Sequence, residues 1–274
     1  MDYDPTTYLG AAPYYAQGRP PYSAELVATL GREVGLGRHS RLLDVGCGPG
    51  ILTIELAPHV DEAIGLDPDP DMLAEAAKRA HQHDLTNVTW VQALAEDIPT
   101  LQLGAFSVAT FGQSFHRTDR ERVAEAVWDL LEPGGAIVLI APEVEGRPQP
   151  AGPGHPPVPD DAIEQLVDSY LGPRRRSGQG FVPPPVDRFE DALARTRFGR
   201  SRGVFAPGRS DVVQDIDAVV ARYYSSSWAA PHLFGDRRTA FEAELRALLR
   251  AHSPAGLFWD WPGDTAIVIG TKPA

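Results

Sequence analysis

The sequence predicts an α/β fold built on a parallel sheet, and three observations carry that expectation. Between Tyr22 and Ala141 short apolar runs alternate with amphipathic stretches at the spacing of strand–helix–strand units. One of these runs opens into Gly46-Cys47-Gly48-Pro49-Gly50, three glycines spaced by single residues between a strand and a helix. A final apolar run, Thr265 to Gly270, follows a long helical segment and is placed to return to the sheet.

Taken in order, strands are expected at Arg41–Val45, Glu62–Asp67, Val88–Gln92, Phe106–Phe111 and Ala136–Ala141. The stretches Ile51–Pro58, Asp71–His83 and Asp119–Leu131 have helical spacing, with Asp71 and Asp119 as capping residues. Glu132-Pro133-Gly134-Gly135 turns the chain sharply into the fifth strand. The stretch from Pro142 to Pro159 holds seven prolines, which bars a regular helix or central strand and reads as a linker. A helix at Asp160–Leu171, a Pro/Arg/Gly-rich loop through Pro185 and mixed helices to Trp228 follow, before a helix at Thr239–His252. Four segments result: an N-terminal piece (1–21), a strand–helix core (22–141), a Pro-rich linker with a mostly helical insertion (142–238), and a returning helix and strand (239–274).

The 274 residues suffice for a substantial core, and 43% hydrophobic with 23% charged residues is an ordinary globular balance. A formal charge of −12 repels phosphate backbones and anionic membranes, so a small-molecule partner is expected, not a nucleic acid or a membrane. Cys47 is the single cysteine, which excludes an internal disulfide and a cysteine-based zinc site. With neither a signal-peptide pattern nor an apolar run long enough to span a bilayer, the cytoplasm is the expected compartment. No metal site is expected: no second His or Cys stands three or four residues from His232 or His252.

The glycines in Leu43-Asp44-Val45-Gly46-Cys47-Gly48 let the backbone turn tightly and let a ligand approach without a Cβ in the way. Asp44 before them is awkward for a pyrophosphate and suits a cofactor with a cationic amino-acid tail. Seventeen residues after Gly50, Asp67 precedes Pro68 at the end of the second strand. Its carboxylate can accept from ribose hydroxyls, or it can simply cap the following turn.

With Ala95-Glu96-Asp97-Ile98-Pro99, Leu130-Leu131-Glu132-Pro133-Gly134-Gly135 and Tyr15-x-x-x-Arg19-Pro20-x-Tyr22, this pattern resembles class I S-adenosylmethionine (SAM) dependent methyltransferases. The resemblance is to the small-molecule group related to trans-aconitate and ubiquinone-type enzymes, and it covers roughly the first half of the chain. It implies a Rossmann-like sheet of seven strands, mostly parallel with an antiparallel last strand, and SAM as cofactor without a metal. It would set the methionine tail over Gly46, Cys47 and Gly48, the ribose on Asp67 beside Pro68, and the adenine near Leu94, Ala95 and Glu96. Leu94 departs from the aspartate many relatives carry, so either Glu96 or backbone would hold the adenine amino group. Tyr14, Tyr15 and Arg19 would lie on a segment folded over the cofactor, with Arg19 toward its carboxylate, or that segment would pack on the sheet edge without touching ligand.

Residues after the fourth and fifth strands should face the methyl acceptor, since ligands sit beyond the carboxyl ends of such strands. After the fourth come Gly112 and Gln113, expected beside the cofactor, then His116 and Arg117, expected beside the acceptor. His116 is placed either as a general base or as a group that orients its neighbours. Glu143 after the fifth strand, with acidic residues in the insertion, favours a cationic amine such as an amino sugar of secondary metabolism. Nine arginines between Gly172 and Arg209 suit a carboxylate or phosphate instead. Tyr224 and Trp228 are candidate walls of the acceptor pocket. The expected activity is therefore methyl transfer to a small polar molecule, N-methylation ahead of O-methylation, by a monomer or homodimer. Carboxylate methylation and a non-catalytic SAM-binding module are the alternatives.

Overall fold

The computed structural model describes residues 3–20, 22–141, 152–181 and 187–274. Five parallel strands, β1 (Arg41–Val45), β2 (Glu62–Asp67), β3 (Val88–Gln92), β4 (Phe106–Gly112) and β5 (Leu131–Ala141), form most of the main sheet. Their side chains alternate between two apolar layers. Leu43, Ala109, Phe111, Ile137 and Leu139 enter one layer with helix α5 (Arg120–Leu130). Leu42, Val108, Val138 and Ile140 enter the other with α2 (Ala24–Val34) and α3 (Ile51–Leu56). Burial on both faces is why these strands read as continuous apolar runs.

Two short strands form a hairpin, β6 (Arg176–Ser177) with β7 (Gly180–Phe181), and the sheet then resumes with β8 (Ser201–Ala206). A two-strand ladder joins β9 (Val213–Asp215) to β10 (Leu257–Trp259), and β11 (Thr265–Thr271) closes the chain. The main sheet has seven strands in the order β3-β2-β1-β4-β5-β11-β8, with β11 antiparallel to both of its neighbours. The seventh strand is the one the sequence conceals. β8 reads Ser-Arg-Gly-Val-Phe-Ala where mixed helices are expected, and of its residues only Ala206 is buried. An edge strand pairs on one side only and requires no apolar alternation. Helix α7 (Phe189–Ala194) sets Ala192 and Leu193 into the same apolar layer as α5.

Helix α4 (Pro70–Gln82) starts one residue before the expected position. Asp69, not Asp71, is its cap: the Asp69 carboxylate accepts from the backbone N–H groups of Asp71 at 2.9 Å and Met72 at 3.3 Å. Proline suits the first helical position because its missing N–H has no partner to lose there. Asp119 caps α5 as expected, accepting from the Arg122 N–H at 3.3 Å.

Above the carboxyl ends of β1 and β4 lies a second, helical layer: α1 (Ala12–Gly18), α6 (Asp160–Leu171), α8 (Ile216–Tyr224) and α9 (Arg238–His252) around a core that includes Phe234, Phe241 and Phe258. Gly18 is where α1 meets α8, because a Cβ there would lie 2.2 Å from the Arg222 backbone nitrogen. No helix among the described residues is long and apolar enough to cross a membrane.

Candidate active site

Chain order reverses between β1 and β4, and a cavity of about 1170 Å³ opens there between the sheet and the helical layer. Its floor is the turn after β1. The N–H groups of Gly46 and Cys47 both donate to the Leu66 carbonyl, at 2.7 and 3.0 Å, which ties the turn to β2. Gly46, at φ +66°, is required sterically, since a Cβ would lie 2.5 Å from the Ser114 Cβ. A Cβ on Gly48 would meet nothing within 4 Å, so at this point bare backbone faces the open cavity. Cys47 is buried, with its thiol pKa raised by desolvation, and serves as packing in the turn.

Two carboxylates lie beneath this floor. Asp44 accepts from the Thr53 hydroxyl at 2.6 Å and the Thr110 hydroxyl at 2.8 Å. The β1–β4 register pairs Asp44 with Thr110, a cross-strand contact that no spacing within one segment reveals. Asp67 accepts from the N–H of Gly48 at 2.8 Å and of Asp69 at 2.9 Å, so it braces the glycine turn and also caps, the role weighed for it from sequence. Burial pushes each carboxyl pKa up to about 6, because a desolvated anion has no cation beside it among the described residues. Such a pair is arranged to receive a positively charged ligand.

The residues expected on the adenine side line the next stretch of wall. Leu94 and Glu96 are half-buried and Ala95 is buried, with Pro68 beside them. Glu96 accepts from the Asp119 N–H at 2.8 Å, which commits one of its oxygens to the start of α5. Opposite, Gly112 would place a Cβ 3.3 Å from the Tyr22 hydroxyl, and Gln113 holds a left-handed φ of 58° while its N–H donates to Phe111 and Ile140. A non-glycine residue in that region is uncommon and marks a backbone held for a purpose. Arg19 reaches the cavity with its Nε donating to the Ser225 hydroxyl at 2.9 Å, and Tyr15 lies beneath its guanidinium. Tyr8 stacks edge-on against Tyr15 and also lines the space, a contribution of the N-terminal segment that no motif announces.

At the far end His116 and Arg117 sit exposed to the cavity on the turn after β4. Desolvation, then the charges of Arg117 and Arg120, hold the imidazole pKa down to about 4, so His116 is neutral through the physiological range. Trp228 forms part of this wall, with the Arg175 guanidinium 4.4 Å above its ring. Two expected acceptor residues are elsewhere. Tyr14 and Tyr224 pack together in the core of the helical layer, their ring centroids 5.0 Å apart, and neither lines the cavity. The reason is burial: α1 and α8 turn these rings toward each other, and the hydroxyls are used by Arg238 and Glu242. Glu143 lies outside the described residues.

Residues 42–135 match the family described as methyltransferase domain. They are a class I SAM-dependent methyltransferase domain. SAM is the methyl donor of this domain type, and no metal-binding cluster of His, Cys, Asp or Glu occurs among the described residues. A Saccharomyces cerevisiae protein named as a probable S-adenosylmethionine-dependent methyltransferase is 27% identical over 151 residues, 53% of this chain and 52% of its own length. The 2-heptyl-1-hydroxyquinolin-4(1H)-one methyltransferase of Mycobacteroides abscessus is 28% identical over 199 residues, 68% of this chain and 86% of that one. The chain thus spans about half the length of the yeast relative and most of the mycobacterial one. A Geobacter sulfurreducens SAM-dependent methyltransferase, crystallised with S-adenosylhomocysteine, shares the fold at a TM-score of 0.52 and 18% identity, covering 98% of both chains.

The residues present suit the donor of this domain type. Open backbone at Gly48 and the anionic pair Asp44 and Asp67 suit a ligand carrying ammonium and sulfonium charges. When bound, SAM supplies an electrophilic methyl group.

Proposed function

We propose that the protein transfers a methyl group from SAM to an oxygen of a small molecule. The observation that carries this reading is the polarity of one continuous cavity, with Asp44 and Asp67 at one end and, at the other, Arg117 beside neutral His116 and an Arg120 already paired with Asp187. The acidic end suits the donor. The cationic end disfavours an ammonium acceptor and favours an oxygen that ionises, which is why O-methylation is placed ahead of the N-methylation suggested by sequence. The amine reading leaned on Glu143, outside the described residues.

In this reaction the acceptor oxygen contributes an electron pair to the new C–O bond as the S–CH3 bond breaks, and the leaving thioether is neutral. No acid is needed for departure. The chain's own contribution is positioning and exclusion of water, and oriented reactants reach effective molarities of about 10⁵–10⁸ M. Neutral His116 can accept a hydrogen bond from an acceptor hydroxyl, but with its pKa near 4 it is a weak proton sink. The Mycobacteroides abscessus relative is named for an acceptor that carries a hydroxyl, which supports an oxygen target, and the more acidic such a hydroxyl is, the less the site has to supply a base.

The test is transfer of labelled methyl from SAM to a panel that includes 2-heptyl-1-hydroxyquinolin-4(1H)-one, simple phenols, carboxylic acids and amino sugars. Label on a hydroxyl or carboxyl compound supports the reading. Label confined to amines would reverse the preference.

A further inference from the structure

Resting on the methyl-transfer reading, we infer that the acceptor is recognised as an oxyanion and that Arg117 is the residue selecting it. Three features of Arg117 point this way. First, it stands on the turn after β4, the sheet end where the strand order reverses, and its exposed side chain lines the cavity. Second, the guanidinium is steadied by neutral groups: its Nη2 donates to the Ser227 hydroxyl at 3.2 Å, and it lies 5.0 Å above the Tyr8 ring. Neither contact neutralises it. The neighbouring cavity arginines differ, because Arg120 pairs with Asp187 at 3.0 Å, Arg175 with Glu164 at 2.5 Å and Arg222 with Asp160 at 2.9 Å.

Third, among the described residues the bonds that hold Arg117 leave most of its donors unused. A guanidinium carries five N–H donors in a fixed fork, and among the described residues the hydrogen bond to Ser227 uses one. The remaining edge is suited to a carboxylate or an ionised hydroxyl, the planar oxyanions this fork binds best. Arg19 is a separate cation on the α1 side, held by Ser225, and is the one placed for the carboxylate of the donor. The division gives each anion its own arginine. Trp228, with Arg175 over its ring, supplies a flat wall beside the same space, which fits an aromatic or conjugated acid.

The experiment is calorimetric binding to protein saturated with S-adenosylhomocysteine, using benzoate, 4-nitrophenolate and benzylamine as probes, on wild type, Arg117→Ala, Arg117→Lys and Ser227→Ala. Both anions are expected to bind more tightly than benzylamine. Arg117→Ala should weaken them by about tenfold or more, as loss of a charge-assisted pair does. Lysine should restore part of the loss, and Ser227→Ala should cause a smaller one. Affinity for S-adenosylhomocysteine should be unchanged throughout. A preference for benzylamine, or anion binding indifferent to Arg117→Ala, overturns the inference. An equal loss of S-adenosylhomocysteine affinity in Arg117→Ala also overturns it, by placing this arginine on the cofactor carboxylate. If wild type fails to bind S-adenosylhomocysteine at all, the methyl-transfer reading itself falls. Which anion binds more tightly separates a carboxylate acceptor from a hydroxyl one.

Discussion

Asp67 performs two jobs at once, and the consequences can be measured. Its carboxylate accepts from Gly48 and Asp69 and lies where the ribose of the donor is expected. Asp67→Ala should therefore raise the SAM dissociation constant about 10–100-fold, since charged hydrogen bonds contribute roughly 1.5–3 kcal/mol each. An unchanged constant in the calorimeter would remove Asp67 from the site. The pH dependence follows from the same group and its neighbour. Asp44 and Asp67 have folded-state pKa values of about 6, above the unfolded range near 4, so the ligand-free folded chain holds protons that the unfolded chain releases between those values. On their account the ligand-free protein loses stability as pH rises through that window. A cationic ligand favours the ionised pair, so its binding strengthens over the same range. The rise in melting temperature on adding SAM should be larger at pH 7.5 than at pH 5; an equal rise would separate these carboxylates from binding. At this scale the sequence was informative wherever a motif is local: the glycine turn, Asp67 and His116 all reach the cavity. Tyr14 and Tyr224 went the other way because helix facing, set by the packing of α1 on α8, decides which aromatic rings are core.

At the scale of elements, one carboxylate fastens the N-terminal segment to the β6–β7 turn. Asp4 accepts from the Thr6 hydroxyl at 2.6 Å and N–H at 2.8 Å, and from the Gln179 N–H at 2.6 Å in the β6–β7 turn. A Cβ on Gly178 would lie 2.2 Å from the Asp4 carboxylate, so the turn is shaped to admit it. These bonds hold the Asp4 carboxyl below its usual pKa range. Asp4→Ala should speed amide exchange in Thr7, Leu9 and Ala11 and quicken SAM release, with the global melting temperature little changed. Exchange rates identical to wild type would show that the segment is held by Tyr8 and Tyr15 instead. Nothing local announces this contact, because its partners are 175 residues apart. β8 was hidden for a different reason: as an edge strand rich in polar residues and glycine it lacks the continuous apolar run that made β1, β2 and β4 legible.

For the whole molecule, the sheet and helical layer enclose one cavity whose two ends carry opposite charge, while the chain as a whole is at −12. The acidic end could be read from Asp44 and Asp67, which lie at fixed distances from the glycine turn. The cationic end was legible only in part: Arg117 and the arginine-rich stretch holding Arg175 stand out in the sequence, but they and Arg120 come from separate elements and only the folded chain brings them to one wall. The most direct test of this account is calorimetric titration of the full chain with SAM at pH 7.5. One site per chain with a dissociation constant on the order of micromolar is expected. A well-folded protein that takes up no SAM would contradict the account.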